Sequence, residues 1–269
     1  MDAEDHRARR LPYGFLLCVF SILNSTLEYK SQWRETRKMH YAIITGVILA
    51  VAAILALAYV LPMFSMHPLA TGKIAGTDIL AIKNRINNLF FIPSGGDWIV
   101  IDAGSNADMV KQEMERLSIA GEKVKGVFLT HTDYDHVASL PLFPHAVIYM
   151  SEQEKQMIDG STRRQFLKKN SLPGLHDSNK ITYLPDNESV TIGTRKVRIL
   201  WAPGHTKGSA VYGVDEKYLF TGDAFRVSNG DILVHPYTMD RKQAEDAISR
   251  IKDEKKKYEK VFTAHYGPA

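Results

Sequence analysis

Four side chains that can bind a metal ion lie within six residues of this 269-residue chain. The stretch His131-Thr-Asp133-Tyr-Asp135-His136 follows Val127-Phe-Leu-Thr130, a short apolar run that predicts a buried strand. Residues 137–140 predict the start of a helix. Two carboxylates in one turn repel each other, and a bound cation reverses the sign of that interaction. The stretch therefore predicts a metal site between a strand and a helix; a polar loop with incidental histidines is the alternative.

Residues of the same chemical types follow other apolar runs along the chain. They are Asp102 after 98–101, His205 after 197–201, Asp223 after 218–220 and His265 after 260–262. Small residues beside them allow the backbone to turn sharply and to approach a ligand closely. Several strand ends of this kind predict that residues distant in sequence meet in one site. We expect Asp102 and Thr130 to support that site by hydrogen bonding to ligand imidazoles.

The combined pattern resembles the metallo-β-lactamase superfamily, a group of αββα hydrolases with a dinuclear metal site. The signature of that family is Thr-His-x-His-x-Asp-His, followed by Gly-His, by an Asp and by a final His. Over about residues 76 to 269 the chain matches it at Thr130, His131, Asp135, His136, Gly204-His205, Thr221-Gly222-Asp223 and His265. The resemblance implies an α/β (α+β) fold, a four-layer αββα sandwich. It does not define the substrate, because one fold hosts many chemistries.

The chain departs from the signature at Asp133, which replaces the second motif histidine. The resemblance implies a first metal site of His131, Asp133 and His205, a second of Asp135, His136 and His265, and Asp223 as the bridge. A carboxylate at position 133 favours iron or manganese relative to the usual zinc, although zinc also accepts carboxylate oxygens. Flavodiiron members of the family carry an acidic residue there. Asp133 could also stay unbound, which would leave a mononuclear or weak first site.

The implied cofactor is a pair of divalent metal ions, most simply zinc, with iron or manganese as alternatives. Two such ions can hold a hydroxide between them near neutral pH. The prediction is therefore a metallo-β-lactamase-fold hydrolase that acts on an ester, lactone, thioester, amide or phosphoester, with Asp135 as both ligand and catalytic residue. One alternative is a dinuclear iron redox protein of the same fold. Another is a non-catalytic, metal-stabilised binding domain.

Several side chains outside the signature could contact a substrate. His235 and Tyr237 follow Asp223 and could donate hydrogen bonds to an oxyanion or a leaving group. The region that often borders the substrate cleft in this fold contains further candidates, which are Arg163, Arg164, Phe166 and His176. A solvated helix and loop is the alternative interpretation of that region.

Composition argues against several other classes of protein. The formal net charge is +4, which is too mild to indicate nucleic acid, so a small-molecule substrate is expected. Because Cys18 is the sole cysteine, the chain can form neither an intrachain disulfide nor a cysteine-based zinc site. The oligomeric state is not indicated by the sequence.

Residues 41–61 contain no charged side chain and predict a transmembrane helix or signal anchor, because about 20 apolar residues cross a bilayer. Basic residues precede this stretch and place the segment 1–40 in the cytoplasm and the catalytic domain outside. Cleavage after Ala56-Leu-Ala58, which would give a secreted protein, is the alternative. Translation could also begin at Met39, so that the segment before it would be untranslated.

The rest of the chain predicts a linker at 62–76 and a hydrolase domain at 77–269. Predicted strands cover 79–82, 88–92, 98–101, 127–130, 146–150 and parts of 181–201. Predicted helices cover 107–119, 152–157 and a segment from an N-cap at Asp240 to about Tyr258. Strands that alternate with helices, followed by a hairpin-rich half, predict two packed sheets with outer helices.

Overall fold

The computed structural model describes residues 13–164, 169–176, 179–228 and 231–268. The chain divides into two compact units, Met1–Leu61 and Pro62–Ala269. In the first unit, helix α1 extends over Tyr13–Val60 and includes nearly all of the apolar stretch 41–61. In the second unit, two large β-sheets and four shorter α-helices hold all the predicted site residues that the structure describes.

Helix α1 has 48 residues. At 1.5 Å per residue it is about 72 Å long, more than twice the thickness of about 30 Å of a bilayer's hydrocarbon core. Within the described residues, one helical stretch, Phe20–Ser65, is long and apolar enough to cross a membrane; its most apolar part has a mean hydropathy of 2.7 and is fully exposed. A membrane anchor and a signal sequence both have these properties.

The first sheet has seven strands in the order in which they follow along the chain. They are β1 (Gly72–Lys73), β2 (Leu80–Asn84), β3 (Asn87–Ser94), β4 (Asp97–Ile101), β5 (Val124–Phe128), β6 (Val147–Ser151) and β7 (Lys180–Leu184). Strands β1 to β4 pair antiparallel, whereas β4 to β7 pair parallel. The carboxyl ends of the parallel strands therefore lie at one edge of the sheet.

The second sheet has five strands in the order β14-β11-β10-β9-β8. They are β8 (Ser189–Ile192), β9 (Arg195–Trp201), β10 (Ala210–Val214), β11 (Tyr218–Phe220) and β14 (Lys260–Phe262). Strands β11 and β14 pair parallel. A separate hairpin of β12 (Arg226–Ser228) and β13 (Asp231–Leu233) lies between β11 and the last helix in the chain.

The helices of the second unit are short except for the last one. They are α2 (Ala107–Arg116), α3 (Tyr134–Val137), α4 (Lys155–Asp159) and α5 (Arg241–Lys255), with 3₁₀ helices at Leu61–Ser65, Gly121–Lys123, Leu140–Leu142 and Glu152–Glu154. The predicted N-cap at Asp240 is confirmed, since its carboxylate accepts a hydrogen bond from the amide of Gln243 at 3.0 Å. Asn106 caps α2 in the same way.

Three apolar clusters define four layers. Val110 and Met114 of α2 pack on one face of the first sheet, and Ile248 and Ile251 of α5 pack on one face of the second. The remaining cluster lies between the sheets and includes Phe90, Phe128, Tyr212, Phe220 and Phe262. The predicted αββα sandwich is therefore confirmed. Its inner layer is rich in aromatic rings, which bury a large apolar area for each side chain.

The segment 62–76, which the sequence predicts as a linker, is partly incorporated in the sandwich. Strand β1 pairs with β2, and the amide and carbonyl of Leu69 both hydrogen bond to the side chain of Asn88. The amide of His67 donates to the carbonyl of His265 at 2.8 Å. Backbone groups need such partners once they leave water. The contact places this segment beside His265, a predicted metal ligand.

Replacing Phe128 by Ala tests the inner layer. The Phe128 ring is fully buried, stacks on Tyr149 at 4.6 Å and contacts Tyr212 at 5.3 Å. We expect the free energy of unfolding to fall by about 3–5 kcal/mol, because the cavity left by a buried ring is not refilled. Chemical denaturation measures this change, with the exposed Met109→Ala on α2 as the control. Equal effects of the two substitutions would contradict the assignment of Phe128 to the core.

Candidate metal centre

Strand register brings the predicted ligands to one edge of each sheet. Phe220 of β11 pairs with Phe262 of β14 in a parallel arrangement. Asp223 and His265 each follow three residues later, and their side chains meet at 3.1 Å. In the first sheet, Ile101 pairs with Phe128, and Asp102 and His131 follow these two residues by one and by three positions. The convergence that strand-end positions predict is therefore a consequence of parallel pairing.

One group of possible ligands consists of Asp135, His136 and His265. The Oδ2 atom of Asp135 lies 3.5 Å from Nε2 of both His136 and His265. Both imidazoles are buried, whereas the Asp135 side chain is 30% exposed. This group matches the second metal site that the sequence predicts.

A second group consists of His131, Asp133 and His205. The Oδ2 atom of Asp133 lies 3.5 Å from Nε2 of His131 and 3.2 Å from Nε2 of His205. The two imidazole rings lie 4.6 Å apart, edge to face. The residues predicted for the first metal site are therefore adjacent, including the aspartate that departs from the family signature.

Asp223 lies between the two groups. Its carboxylate oxygens are within 3.1–3.7 Å of an Nε2 atom of His136, His205, His235 and His265. The Asp223 side chain is only 5% exposed. A buried carboxylate is costly unless cationic partners compensate for its charge. The arrangement therefore suits a carboxylate that bridges two cations.

The spacing of these atoms fits a metal ion. Two ligand atoms that are each about 2.1 Å from a tetrahedral zinc ion lie roughly 3.4 Å apart, and the separations given above are close to that value. Among the described residues, several buried polar atoms have no hydrogen-bond partner, namely Nε2 of His131 and His136, Nδ1 of His205, Oδ1 of Asp223 and both ring nitrogens of His235. Buried polar atoms are otherwise rarely left unpaired. The donor set thus fits one or two divalent cations.

A guanidinium group lies beside the first group. The Nη2 atom of Arg164 lies 2.5 Å from Oδ2 of Asp133 and donates to Nε2 of His205 at 3.0 Å. Its Nη1 atom donates to the carbonyl of Tyr237. The amide of Asn170 donates to the other oxygen of Asp133 at 3.0 Å. Asp133 is therefore held by two residues of the segment that follows α4, as well as facing the histidines.

The opposite side of three imidazoles is fixed by acceptors. Nδ1 of His136 donates to Asp102 at 2.9 Å, and Nδ1 of His265 donates to the carbonyl of Ile86 at 2.7 Å. Thr130 gives its hydroxyl proton to Asp102 and therefore accepts from Nδ1 of His131 at 3.1 Å. With Nδ1 engaged in this way, Nε2 is in each case the ring atom that would bind a metal ion.

Asp102 reaches His136 from a strained backbone conformation, with φ at 59°. The left-handed region is uncommon for a residue with a Cβ atom. Its carboxylate accepts from both the amide and the hydroxyl of Thr130 in addition to His136. These contacts compensate for the strain and join the end of β4 to the loop after β5.

Burial and charge shift the site's pKa values in different directions. Burial raises the pKa of Asp223, but the surrounding histidines lower it more, to well below its usual range. Burial lowers the pKa of His136, yet Asp102, Asp135 and Asp223 together raise it well above its ordinary value. Burial lowers the pKa of His205 to about 4 and that of His235 to about 3. These last two imidazoles are neutral near pH 7, the form that binds metal ions.

Two glycines allow the ligand loops to approach each other. A Cβ atom on Gly222 would lie 2.3 Å from the hydroxyl oxygen of Thr130, and one on Gly204 would lie 2.5 Å from the amide of Ala244. Both residues have positive φ angles, 50° and 138°. Glycine is therefore required next to both Asp223 and His205.

Glu154 is a site residue that sequence reasoning misses. It is fully buried, and its carboxylate accepts from the amide and hydroxyl of Thr132, from the hydroxyl of Thr206 and from the amide of Gly208 at 2.7–3.1 Å. Burial raises the pKa of Glu154, and these donors oppose that shift. Glu154 thus connects the loop of His131 with the loop of His205. Nothing in the local sequence distinguishes it from Glu152, which is exposed.

The predicted substrate contacts separate into two sets. His235 is buried against the site, and the ring of Tyr237 lies 5.7 Å from it. Arg163, by contrast, is exposed and donates to the carbonyl of Gly160, and His176 contacts the carbonyl of Pro141. Arg164 contacts the ligands themselves, as described above. Phe166 lies outside the described residues.

The sequence model of the metallo-beta-lactamase superfamily matches residues 83–265 of this chain. The chain belongs to that superfamily. This range contains all the proposed ligands, from His131 to His265.

Curated relatives share modest identity with the chain. A probable polyketide biosynthesis zinc-dependent hydrolase of Bacillus subtilis (strain 168) is 28% identical over 170 residues, which are 62% of this chain and 66% of the relative. A hydroxyacylglutathione hydrolase of Synechococcus sp. (strain JA-3-3Ab) is 29% identical over 148 residues, 53% of this chain and 50% of the relative. The chain thus spans about half to two thirds of the length of these proteins.

Solved structures share the fold. A B3 metallo-β-lactamase described as having an active-site glutamic acid superimposes with a TM-score of 0.57 at 18% identity, covering 75% of this chain and 80% of that one. A metallo-β-lactamase family protein of Thermus thermophilus gives a TM-score of 0.52 at 21% identity, covering 71% and 74%. At these identities the likeness supports the architecture alone.

Glu154→Ala tests the connection between the two ligand loops. We expect the free energy of unfolding to fall by about 3–5 kcal/mol, because the substitution leaves several buried donors without an acceptor. Metal affinity should also fall, since Thr132 and Thr206 flank His131 and His205. Denaturation and metal titration measure the two effects. The exposed neighbour Glu152→Ala is the control, and a Glu154→Ala protein as stable as that control would contradict the structural role.

Proposed function

We propose that this protein is a metal-dependent hydrolase with two divalent metal ions, held by His131, Asp133, Asp135, His136, His205, Asp223 and His265. The observation that carries the proposal is the buried carboxylate of Asp223 within 3.1–3.7 Å of four imidazole nitrogens. When bound, the metal ions supply a nucleophilic water near neutral pH and a Lewis acid for the substrate oxygen. The substrate class is an ester, lactone, thioester, amide or phosphoester.

Asp135 is the proposed catalytic residue. Its Oδ2 atom faces His136 and His265, and the side chain is nevertheless 30% exposed at the cleft. The other carboxylate oxygen is then available to accept a proton from the attacking water and to return it to the leaving group. Asp102 and Thr130 keep the imidazoles of His136 and His131 in one tautomer and one orientation.

The names of the relatives support hydrolysis as the reaction class. Zinc-dependent hydrolase and hydroxyacylglutathione hydrolase both describe hydrolytic enzymes. Because the chain matches only part of those proteins, their substrates are not transferred to it. A panel of thioesters, lactones, carboxylic esters, β-lactams and phosphodiesters is the appropriate activity screen, and no turnover of any of them by metal-loaded protein would favour a binding domain.

Zinc is the proposed metal. The guanidinium of Arg164 and the amide of Asn170 engage Asp133 and compensate for the negative charge that this residue adds to the first site. Imidazole and carboxylate ligands otherwise suit zinc, iron and manganese. Elemental analysis of protein purified without added metal separates these cases. Iron together with redox-active absorbance would support the alternative of a dinuclear iron redox protein.

Asp223→Asn tests the metal centre with little change in side-chain shape. We expect metal affinity and turnover to fall by more than about a hundredfold, because even residues that only support ligands cost 10- to 100-fold when replaced. Metal content per chain and kcat/KM measure the effect. The exposed Asp246→Asn on α5 is the matched control. Retention of both metal and turnover by the Asp223 variant would contradict the proposed function.

We further propose that residues 41–61 span a membrane once, with residues 1–40 in the cytoplasm and the domain 77–269 outside. Helix α1 supplies an exposed apolar surface over this stretch. The basic side chains that precede it favour the cytoplasmic side. In this arrangement the enzyme would meet extracytoplasmic small molecules.

Single cysteines test this topology. With Cys18 replaced by Ser, we expect a membrane-impermeant maleimide added to intact cells to label Asp246→Cys and not Ser31→Cys. Both positions are exposed, so accessibility within the protein is matched. The opposite labelling pattern would contradict the orientation. Release of the Asp246→Cys protein into the medium, without its N-terminal segment, would identify a cleaved signal sequence.

A further inference from the structure

His235 stands apart from the other histidines of the site. It is 2% exposed, and neither ring nitrogen has a hydrogen-bond partner among the described residues. The family signature does not include it, and it follows the hairpin of β12 and β13 rather than a strand of the central sheets. A buried imidazole without partners is costly. Its position therefore needs a physical explanation that the signature does not supply.

The surroundings of His235 are those of a metal ligand. Its Nε2 atom lies 3.7 Å from Oδ2 of Asp223, the same oxygen that lies 3.5 Å from Nε2 of His205. His205, Asp223 and His235 are all buried, and each presents one ligand atom within 4.8 Å of the other two. The rings of His205 and His235 lie 4.9 Å apart, edge to face. Two imidazoles and one carboxylate at this spacing form a common zinc-binding set.

The partners of Asp133 explain why the first metal site would use a further ligand. Its two oxygens are engaged by Arg164 and Asn170, so much of its charge is already compensated. Asp223, on the other side of His205, presents its Oδ2 atom to both His205 and His235, at 3.5 and 3.7 Å. A cation beside His205 can therefore be held from the side where Asp223 and His235 lie as well as from the side of Asp133.

We propose that His235 is a direct ligand of the first metal ion, together with His205 and Asp223. This inference rests on the proposed metal-dependent function and extends it by one ligand. It assigns to His235 a role different from the substrate contact that the sequence predicts. A substrate contact would act on turnover only, whereas a ligand is required for metal binding in the absence of substrate.

The test compares His235→Gln and His235→Ala with the exposed His145→Ala in the full chain. Zinc bound per chain and zinc affinity, measured by competition with a chromophoric chelator, are the readouts. We expect both His235 variants to bind the first zinc ion more than about tenfold more weakly, with the second zinc ion and the His145 control unchanged. Glutamine can still donate a hydrogen bond to a substrate, so it separates a donor from a ligand.

Cobalt-substituted protein provides a readout that does not depend on affinity. Each imidazole bound to cobalt contributes a paramagnetically shifted, exchangeable N–H resonance in the proton NMR spectrum. We expect His235→Gln to lose one such resonance relative to wild type when cobalt is added in excess. Thermal unfolding of the variants without metal verifies that they fold.

The outcomes separate this inference from the proposed function. Wild-type zinc affinity together with an unchanged set of resonances in His235→Gln would overturn the role of His235 and leave the metal-dependent function intact. A wild-type protein that binds neither zinc nor cobalt would overturn both. Weakened zinc binding in both His235 variants, with the loss of one resonance, would support the assignment of His235 as a ligand.

Discussion

The site depends on one buried negative charge, the carboxylate of Asp223. Four imidazoles surround it at 3.1–3.7 Å, and the loops that carry them come from both sheets. A carboxylate removed from water requires positive charge nearby. The imidazoles of His205 and His235, whose pKa values are lowered, do not provide it, and the raised pKa values of His136 and His265 reflect the same need for positive charge beside Asp223. Divalent cations satisfy this requirement and the unpaired nitrogens together. The arrangement of these side chains is therefore the one expected of a metal-binding site.

The two sheets contribute to this centre through the same geometric device. Parallel pairing aligns the ends of β4 and β5 in one sheet and of β11 and β14 in the other. Polar residues placed just beyond those ends converge without any long-range signal in the sequence. The aromatic layer between the sheets then fixes the distance between the two halves of the site. His205 is the exception to parallel pairing, since it follows β9, which pairs antiparallel with both β8 and β10.

Much of the fold and the convergence of the candidate ligands could be predicted from the sequence, because apolar runs and the residues that follow them are local patterns. Asp223 and His265 are examples, since each follows a short apolar strand by three residues. Glu154, the contact of Arg164 with Asp133 and the burial of His235 could not be predicted. Each depends on which loops meet in three dimensions, and neighbouring residues give no indication of it. The incorporation of 62–76 into the sandwich was missed for the same reason.

The four hydrogen bonds of Glu154 have a consequence for how the cleft can diversify. They join the loops after β5 and β9 through one buried carboxylate, so a change that removes these bonds would affect the loops of His131 and His205 together. The segment after α4 contacts Asp133, in the loop after β5, through single side chains, those of Arg164 and Asn170. Because Arg164 and Asn170 engage Asp133, substitutions of these two residues would act on the first group of candidate ligands, whereas the hydrogen bonds of Glu154 would remain. Engineering of selectivity in this protein would begin in the segment after α4 and leave Glu154 unchanged.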